Sequence, residues 1–384
     1  MKFFIIDTYY PTFLNTFYAR HPDLAGYPFK QQWCLLMDQC FGTADFYSAN
    51  LNKLGHEATE VVANCETLQL KWAEEQGIEL PEPGWRTQLK KGFIPWPQRV
   101  QSTDWVYTVL EAQVKHHRPD VLFIQDLNST SSAFLQEIRP YVRLIVGQIA
   151  CSISPAADFR AYDLILSSFP HFVEKFRREG LASEYFNLGF EPRLLPHLKK
   201  EDPQYQTVFV GGLTAQHMER IRLLSQISTT HPVDLWGYGI DTLEPESPLH
   251  ASYHGQAWGL EMYSILYNSN IALNNHINIG GRFANNMRLY EATGVGTLLI
   301  TDHKDNLHTL FEPGSEVIAY SSAEECVELV TYYLAHEKER EAIARAGQQR
   351  TLREHSYLQR MQELVNILER QLHNPRRGAR KFFL

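Results

Sequence analysis

Between residues 280 and 302, "GGRFANNMRLYEATGVGTLLITD", polar side chains that can do chemistry crowd one short stretch: Arg282, Asn285, Asn286, Arg288 and Glu291. The pair Gly280 and Gly281 leaves the apolar run "IALNNHI" and lets the backbone come close to a ligand. A helix N-terminus expected near Phe283 offers free N–H groups and the positive end of a dipole, which is an anion site. Arg282 and Arg288 add cations suited to a diphosphate. Glu291 falls two turns into that helix, where a carboxylate can accept two hydroxyl hydrogen bonds from a ribose. The same spacing also describes an i,i+3 surface pair between Arg288 and Glu291. Spacing alone leaves both readings open.

Two further stretches carry candidates. "FVGGLTAQHMER" ends a strand at Gly211 and Gly212, with Thr214 as a helix cap and His217 and Arg220 spaced i,i+3 on the helix behind. This is either a tight strand–helix turn with exposed side chains or a phosphate-facing turn. "FIQDLNSTS" places Gln125, Asp126 and Asn128 at the end of an apolar strand. A carboxylate there can take a proton from a hydroxyl, or it can be a turn-capping Asp. Asp7, at the end of the first strand, is the competitor for that role. His171 in "SFPHFVEKF" is expected to begin a helix, and Asp302 with Asp305 forms a candidate metal pair.

These residues need strand ends to carry them, and the chain supplies them. The 384 residues are 44% hydrophobic and 21% charged, ordinary for a globular protein with two or three domains. The formal net charge of −8 disfavours a general nucleic-acid binder. Five scattered cysteines without a CxxC argue against a disulfide framework or a zinc site and suit a reducing cytoplasm. The opening apolar run is too short for a signal peptide, and no stretch approaches a membrane span. Apolar strands alternate with amphipathic helices twice, so the expected fold is α/β: two doubly wound Rossmann-like domains facing a central cleft. The first covers residues 1–190, with an irregular insertion at about 64–99. Residues 191–205 are a proline-rich linker. The second domain covers 206–371, and 372–384 form a basic tail.

"NMRLYEATGVGTLLITD", the following "LFEPGSEVIAYSSAEECVELVTYYLAHEKEREAIARAGQQRTLREHSY" and the upstream "FVGGLTAQHMERIRLL" resemble the C-terminal half of GT-B glycosyltransferases, the glycosyl transferases group 1 type. The likeness is to the group typified by spore-maturation CgeB-like proteins, on Asn286, Arg288, Glu291, Gly296 and Asp302, and it covers roughly residues 205–360. It implies a first domain that holds the acceptor and a second that holds a nucleotide-diphosphate sugar. Glu291 would bind the ribose. Trp236, Gly237 and Tyr238 of "DLWGYG" would sit at the base, with Trp236 alternatively a core residue. The wider retaining families carry a second glutamate where Phe283 stands, and an arginine where Gly212 stands. His217, Arg220, Arg282 and Arg288 are the cations left to hold the diphosphate. The resemblance implies no metal and no separate cofactor, because dipole and arginines can stabilise the leaving group.

The expected activity is therefore transfer of a sugar from a nucleotide-diphosphate donor to a carbohydrate, lipid-linked or small-molecule acceptor. Its rivals are a nucleotide-sugar epimerase of the same fold and a catalytically silent sugar- or nucleotide-binding module. A Rossmann dehydrogenase is disfavoured, since no GxGxxG follows a strand. Arg376, Arg377, Arg380 and Lys381 beside two phenylalanines read as a weak peripheral membrane contact or as a disordered tail.

Overall fold

The computed structural model describes residues 1–81, 84–90, 94–100, 104–154, 157–200, 205–214 and 217–373. The first half builds a six-stranded parallel sheet in the order β2-β1-β5-β6-β7-β8. Its strands are β1 (Lys2–Asp7), β2 (Glu57–Val62), β5 (Val121–Ile124), β6 (Leu144–Gln148), β7 (Leu164–Ser167) and β8 (Ser183–Tyr185). Between β2 and β5, β3 (Gly84–Lys90) and β4 (Ile94–Val100) form an antiparallel hairpin. The second half builds a five-stranded parallel sheet in the order β10-β9-β11-β12-β13. Here β9 is Tyr205–Val210, β10 Asp234–Trp236, β11 Ser269–Asn274, β12 Leu298–Asp302 and β13 Ile318–Tyr320. Helices cover both faces, so central strands such as "VLFI" of β5 are wholly buried and have no polar face.

Several local expectations change. The irregular insertion at 64–99 holds a helix, Glu66–Glu75, as well as the hairpin. Between β1 and β2 the chain also forms two separate helices, Phe29–Met37 and Phe46–Lys53. The helix expected from Phe283 starts at Met287 and runs to Val295. Asn286 caps it by accepting from Leu289 N (3.3 Å), because an asparagine oxygen satisfies one of the free N–H groups of a first turn. Arg282 and Asn285 therefore lie on the loop before the helix, off its free N–H groups.

The final helix, Tyr357–His373, returns to pack on Phe46–Lys53 of the first half. Tyr357 meets both Phe46 and Tyr47 at ring-centroid distances of 5.4 Å. Arg360 Nε donates to Leu188 O (2.8 Å). The segment expected to finish the second domain thus also caps the first. The two halves touch again where Leu260 N donates to Gln39 O (2.9 Å). Gly259 has φ +52°, and a Cβ there would stand 1.9 Å from Gln39 O, so only glycine permits this approach. The basic residues 376–381 lie outside the described residues.

Candidate functional site: the cleft between the sheets

The carboxyl ends of both sheets face a cleft of about 550 Å³. In open parallel sheets this is where ligands bind, because loops diverge there and leave space. The two walls differ in charge. The second-half wall presents Gly211, Gly212, Arg220, Asn286, Arg288 and Glu291. The first-half wall presents Asp7, Thr43, Gln125 and Asp126.

Strand-end carbonyls aim the arginines. Beyond the last ladder bond these carbonyls have no strand partner, and a guanidinium can accommodate several at once. Arg220 Nη1 donates to Gly212 O (2.8 Å) and Nη2 to Asn275 O (2.7 Å). Burial pushes its guanidinium down to about 10, so it stays charged at neutral pH. Arg288 Nη2 donates to Val210 O (3.0 Å) and Nη1 meets Glu291 Oε2 (2.9 Å). The Arg288–Glu291 pair therefore forms, but inside the cleft: Glu291 is 5% exposed. Burial pushes its carboxyl up, and Arg288 opposes that shift. Beside them Asn286 Nδ2 donates to Asn274 Oδ1 (2.8 Å), tying the helix start to the end of β11.

Other expected donor-side residues stand elsewhere. Arg282 is exposed and pairs with Asp305 (2.7 Å), so it is a surface residue off the cleft lining. Trp236 is buried off the cleft, stacked on His254 at 4.6 Å. Its side chain is core because it points into the sheet face, while Tyr238, two residues on, reaches the cleft. His217 is absent from the lining, and its Nδ1 lies 2.9 Å from Thr214 Oγ1. Gly237 serves the turn rather than the lining: at φ +146°, a Cβ would fall 1.8 Å from Gly211 O. Gly280 lines the cleft and Gly281 does not. His171 Nε2 contacts Ile279 O (3.1 Å) and the ring stacks with Phe283 at 5.7 Å, which joins the two halves.

On the opposite wall Asp126 lines the cleft and accepts from Asn128 N (2.9 Å), a local turn bond. Asp7 is more perturbed. It opens onto the cleft but is otherwise enclosed by protein, and burial pushes its carboxyl up from 3.8 to about 7. Thr8 N (2.7 Å) and the Thr43 hydroxyl (3.3 Å) oppose that shift, and the charge of Asp126 adds to it. Behind Asp7 runs a chain of polar groups. Thr43 Oγ1 is 2.8 Å from Gln125 Oε1, and Gln125 Nε2 donates to Glu60 Oε1 (3.1 Å). Glu60 is wholly buried, which raises its carboxyl well above the usual range.

Sequence reasoning missed three features here. Tyr10 and Phe41 from one half meet Tyr238 and Trp258 from the other, with Tyr10–Trp258 and Phe41–Trp258 both at 5.5 Å. Aromatic residues scattered over 250 positions carry no spacing signal. Thr43 and Glu60 join through Gln125, again without a local pattern. His276, at the polar end of "IALNNHI", also lines the cleft. Asp302 contacts His276 and Lys304, whereas Asp305 contacts Arg282, so the two aspartates do not share an ion. Among the described residues, no three His, Cys, Asp or Glu side chains converge to hold a metal. Among them, too, no helix is long and apolar enough to cross a membrane.

Residues 218–366 match the family model described as "Glycosyl transferase-like". No curated protein matches the sequence. Among solved structures, the chain is similar to sucrose-phosphate synthase (tll1590) from Thermosynechococcus elongatus, at 12% identity and TM-score 0.57, over 98% of this chain and 100% of that one. It is similar to Alr3699/HepE of Anabaena, solved in complex with UDP-glucose, at 12% identity and TM-score 0.56, over 96% and 100%. AviGT4, a glycosyltransferase involved in avilamycin A biosynthesis, aligns at 13% identity and TM-score 0.53, over 86% and 88%. At such identities the likeness speaks for the fold. The fold is thus the one shared with GT-B glycosyltransferase structures, and the glycosyl transferase-like match lies within its second half.

Proposed function

We propose that the cleft binds a nucleotide-diphosphate sugar on its arginine wall and an acceptor hydroxyl on its carboxylate wall. One observation carries this: Arg220 and Arg288 face Asp7 and Asp126 across a single cleft at the ends of both sheets. Arg220 and Arg288 hold the diphosphate, Glu291 the ribose, and Tyr238 covers the base. This assignment needs no metal, because two guanidiniums already oppose the charge that develops on the leaving group. Asp7 takes the acceptor proton, since a general base works best with its pKa near the working pH. Asp126 acts through its charge, which favours the protonated form of Asp7. HepE, solved with UDP-glucose, supports a uridine donor as the first to try. Asn286, Arg288, Glu291, Gly296 and Asp302 support placement near the CgeB-like group. Five free cysteines fit a cytoplasmic chain. A weak contact of the basic tail with anionic membranes belongs to the same proposal, tested by vesicle sedimentation of the full chain against one ending at His373.

The deciding experiment has two stages. A thermal-shift panel of UDP-, dTDP-, GDP- and CDP-sugars identifies the donor, since ligand binding raises the melting point by mass action. Release of the free nucleoside diphosphate is then followed after adding carbohydrate, lipid-linked and small-molecule acceptors. Transfer predicts release that depends on acceptor. Conversion of the donor alone would indicate an epimerase, and binding without turnover a silent module.

A further inference from the structure

His276 stands two residues beyond the end of β11 on the second-half wall, 5% exposed, and it lines the cleft. Its Nδ1 lies 2.7 Å from Asp302 Oδ1, and its backbone N donates to the same oxygen (2.9 Å). Asp302 ends the neighbouring strand β12, so the parallel register of β11 and β12 sets this pair side by side. Burial pushes the Asp302 carboxyl up, but the His276 hydrogen bond and charge, with Lys304 at 3.2 Å, outweigh it and hold it at about 2. Asp302 is thus ionised and accepts a hydrogen bond from Nδ1–H, which fixes the ring. The other ring nitrogen, Nε2, is buried and has no hydrogen-bond partner. A buried nitrogen left unpaired is costly, and such a group in a binding cleft calls for a ligand atom.

We propose that His276, oriented by Asp302, is a diphosphate-binding group of the cleft, donating from Nε2–H to the departing diphosphate. The ligand class follows from charge. With Nδ1–H given to the Asp302 carboxylate, a protonated ring offers its second N–H at the unpartnered Nε2, and a diphosphate oxygen is a strong acceptor for it. The same wall already carries Arg220 and Arg288, which suits an anion better than a neutral group. In the reaction, the bond from the anomeric carbon to the diphosphate oxygen breaks and its electron pair stays on the diphosphate. The acceptor oxygen forms the new bond to that carbon, and its proton goes to Asp7. The imidazolium keeps its proton and stabilises the negative charge through the hydrogen bond. Around the His276–Asp302 pair stand Lys304, Arg220, Tyr320 and Cys326.

This inference rests on the proposed donor site, and its test separates the two. Calorimetry compares the nucleoside, the nucleoside diphosphate and the nucleotide sugar that binds best in the panel, for the wild type and for His276→Ala, His276→Gln and Asp302→Asn. Loss of the Nε2 donor in His276→Ala is expected to weaken both diphosphate ligands about tenfold or more and leave the nucleoside unchanged. His276→Gln, which keeps an N–H near Nε2 without charge, is expected to recover part of that loss. Asp302→Asn is expected to weaken the diphosphate ligands while retaining the melting temperature within a few degrees. Equal losses for nucleoside and diphosphate, or a loss confined to the sugar-bearing ligand, would overturn the diphosphate contact. A wild type that binds no nucleotide sugar would overturn the donor site itself, and this inference with it.

Discussion

Asp7→Asn separates a base held ready by burial from a carboxylate that merely caps a strand. The Asp7 carboxyl is raised from 3.8 to about 7, chiefly by burial. A carboxyl whose folded value is raised keeps its proton in the fold while the unfolded chain has already lost it. The fold is therefore favoured fully below 3.8 and loses stability as pH climbs from 3.8 to about 7. At about 1.4 kcal/mol per unit, the loss is about 1.7 kcal/mol at pH 5 and about 4 kcal/mol at pH 8. Water in the open cleft trims the second figure to about 2–4 kcal/mol. Asn keeps the shape and removes the ionisation. The variant is thus expected to melt several degrees above the wild type at pH 8, with a smaller gain at pH 5. Donor binding is expected to be preserved, with turnover lower by about 10²-fold or more, the usual contribution of a general base. The assay is calorimetric unfolding at both pH values beside acceptor-dependent release of nucleoside diphosphate. A stability gain that does not grow between pH 5 and pH 8 would refute the burial argument. Normal turnover would remove Asp7 from the mechanism and return the role to Asp126.

The two arginines of the opening motif should now part company. Arg288→Ala is expected to weaken a nucleoside diphosphate about tenfold or more in calorimetry, while the exposed Arg282→Ala stays within about twofold, since surface ion pairs contribute about 0–1 kcal/mol. Glu291→Gln should reduce affinity for the nucleoside as well, because the ribose lies on that part of the ligand; an effect restricted to the diphosphate would show that Glu291 serves only to hold Arg288. Gly237→Ala places a methyl against Gly211 O at a backbone angle that only glycine tolerates, so the turn at Gly211 and Gly212 must move. Its expected signature is a lower melting temperature together with weaker donor binding. Gly259→Ala should loosen the contact with Gln39 and expose the cleft to faster hydrogen exchange at residues 38–43.

Much of this molecule was legible along the chain. Wholly apolar runs such as "VLFI" and "TLLIT" have no polar face, so they must be central strands of parallel sheets, and ligand chemistry must then gather at their carboxyl ends. Local spacing likewise brought Arg288 and Glu291 together, because i,i+3 side chains on a helix are neighbours whatever surrounds them. What spacing does not contain is the direction that a helix faces. Only packing decided that this pair lies in the cleft and that Arg282, six residues earlier, does not: the helix begins at its Asn286 cap, four residues after Arg282. The same holds for partners supplied by distant strands. The parallel register of β11 and β12 sets Asp302 beside His276, and β1, β2 and β5 bring Asp7, Glu60 and Gln125 together. Burial then turns an ordinary aspartate into one that holds its proton to about pH 7, because desolvation depends on what surrounds a carboxyl in space and not on its neighbours in sequence.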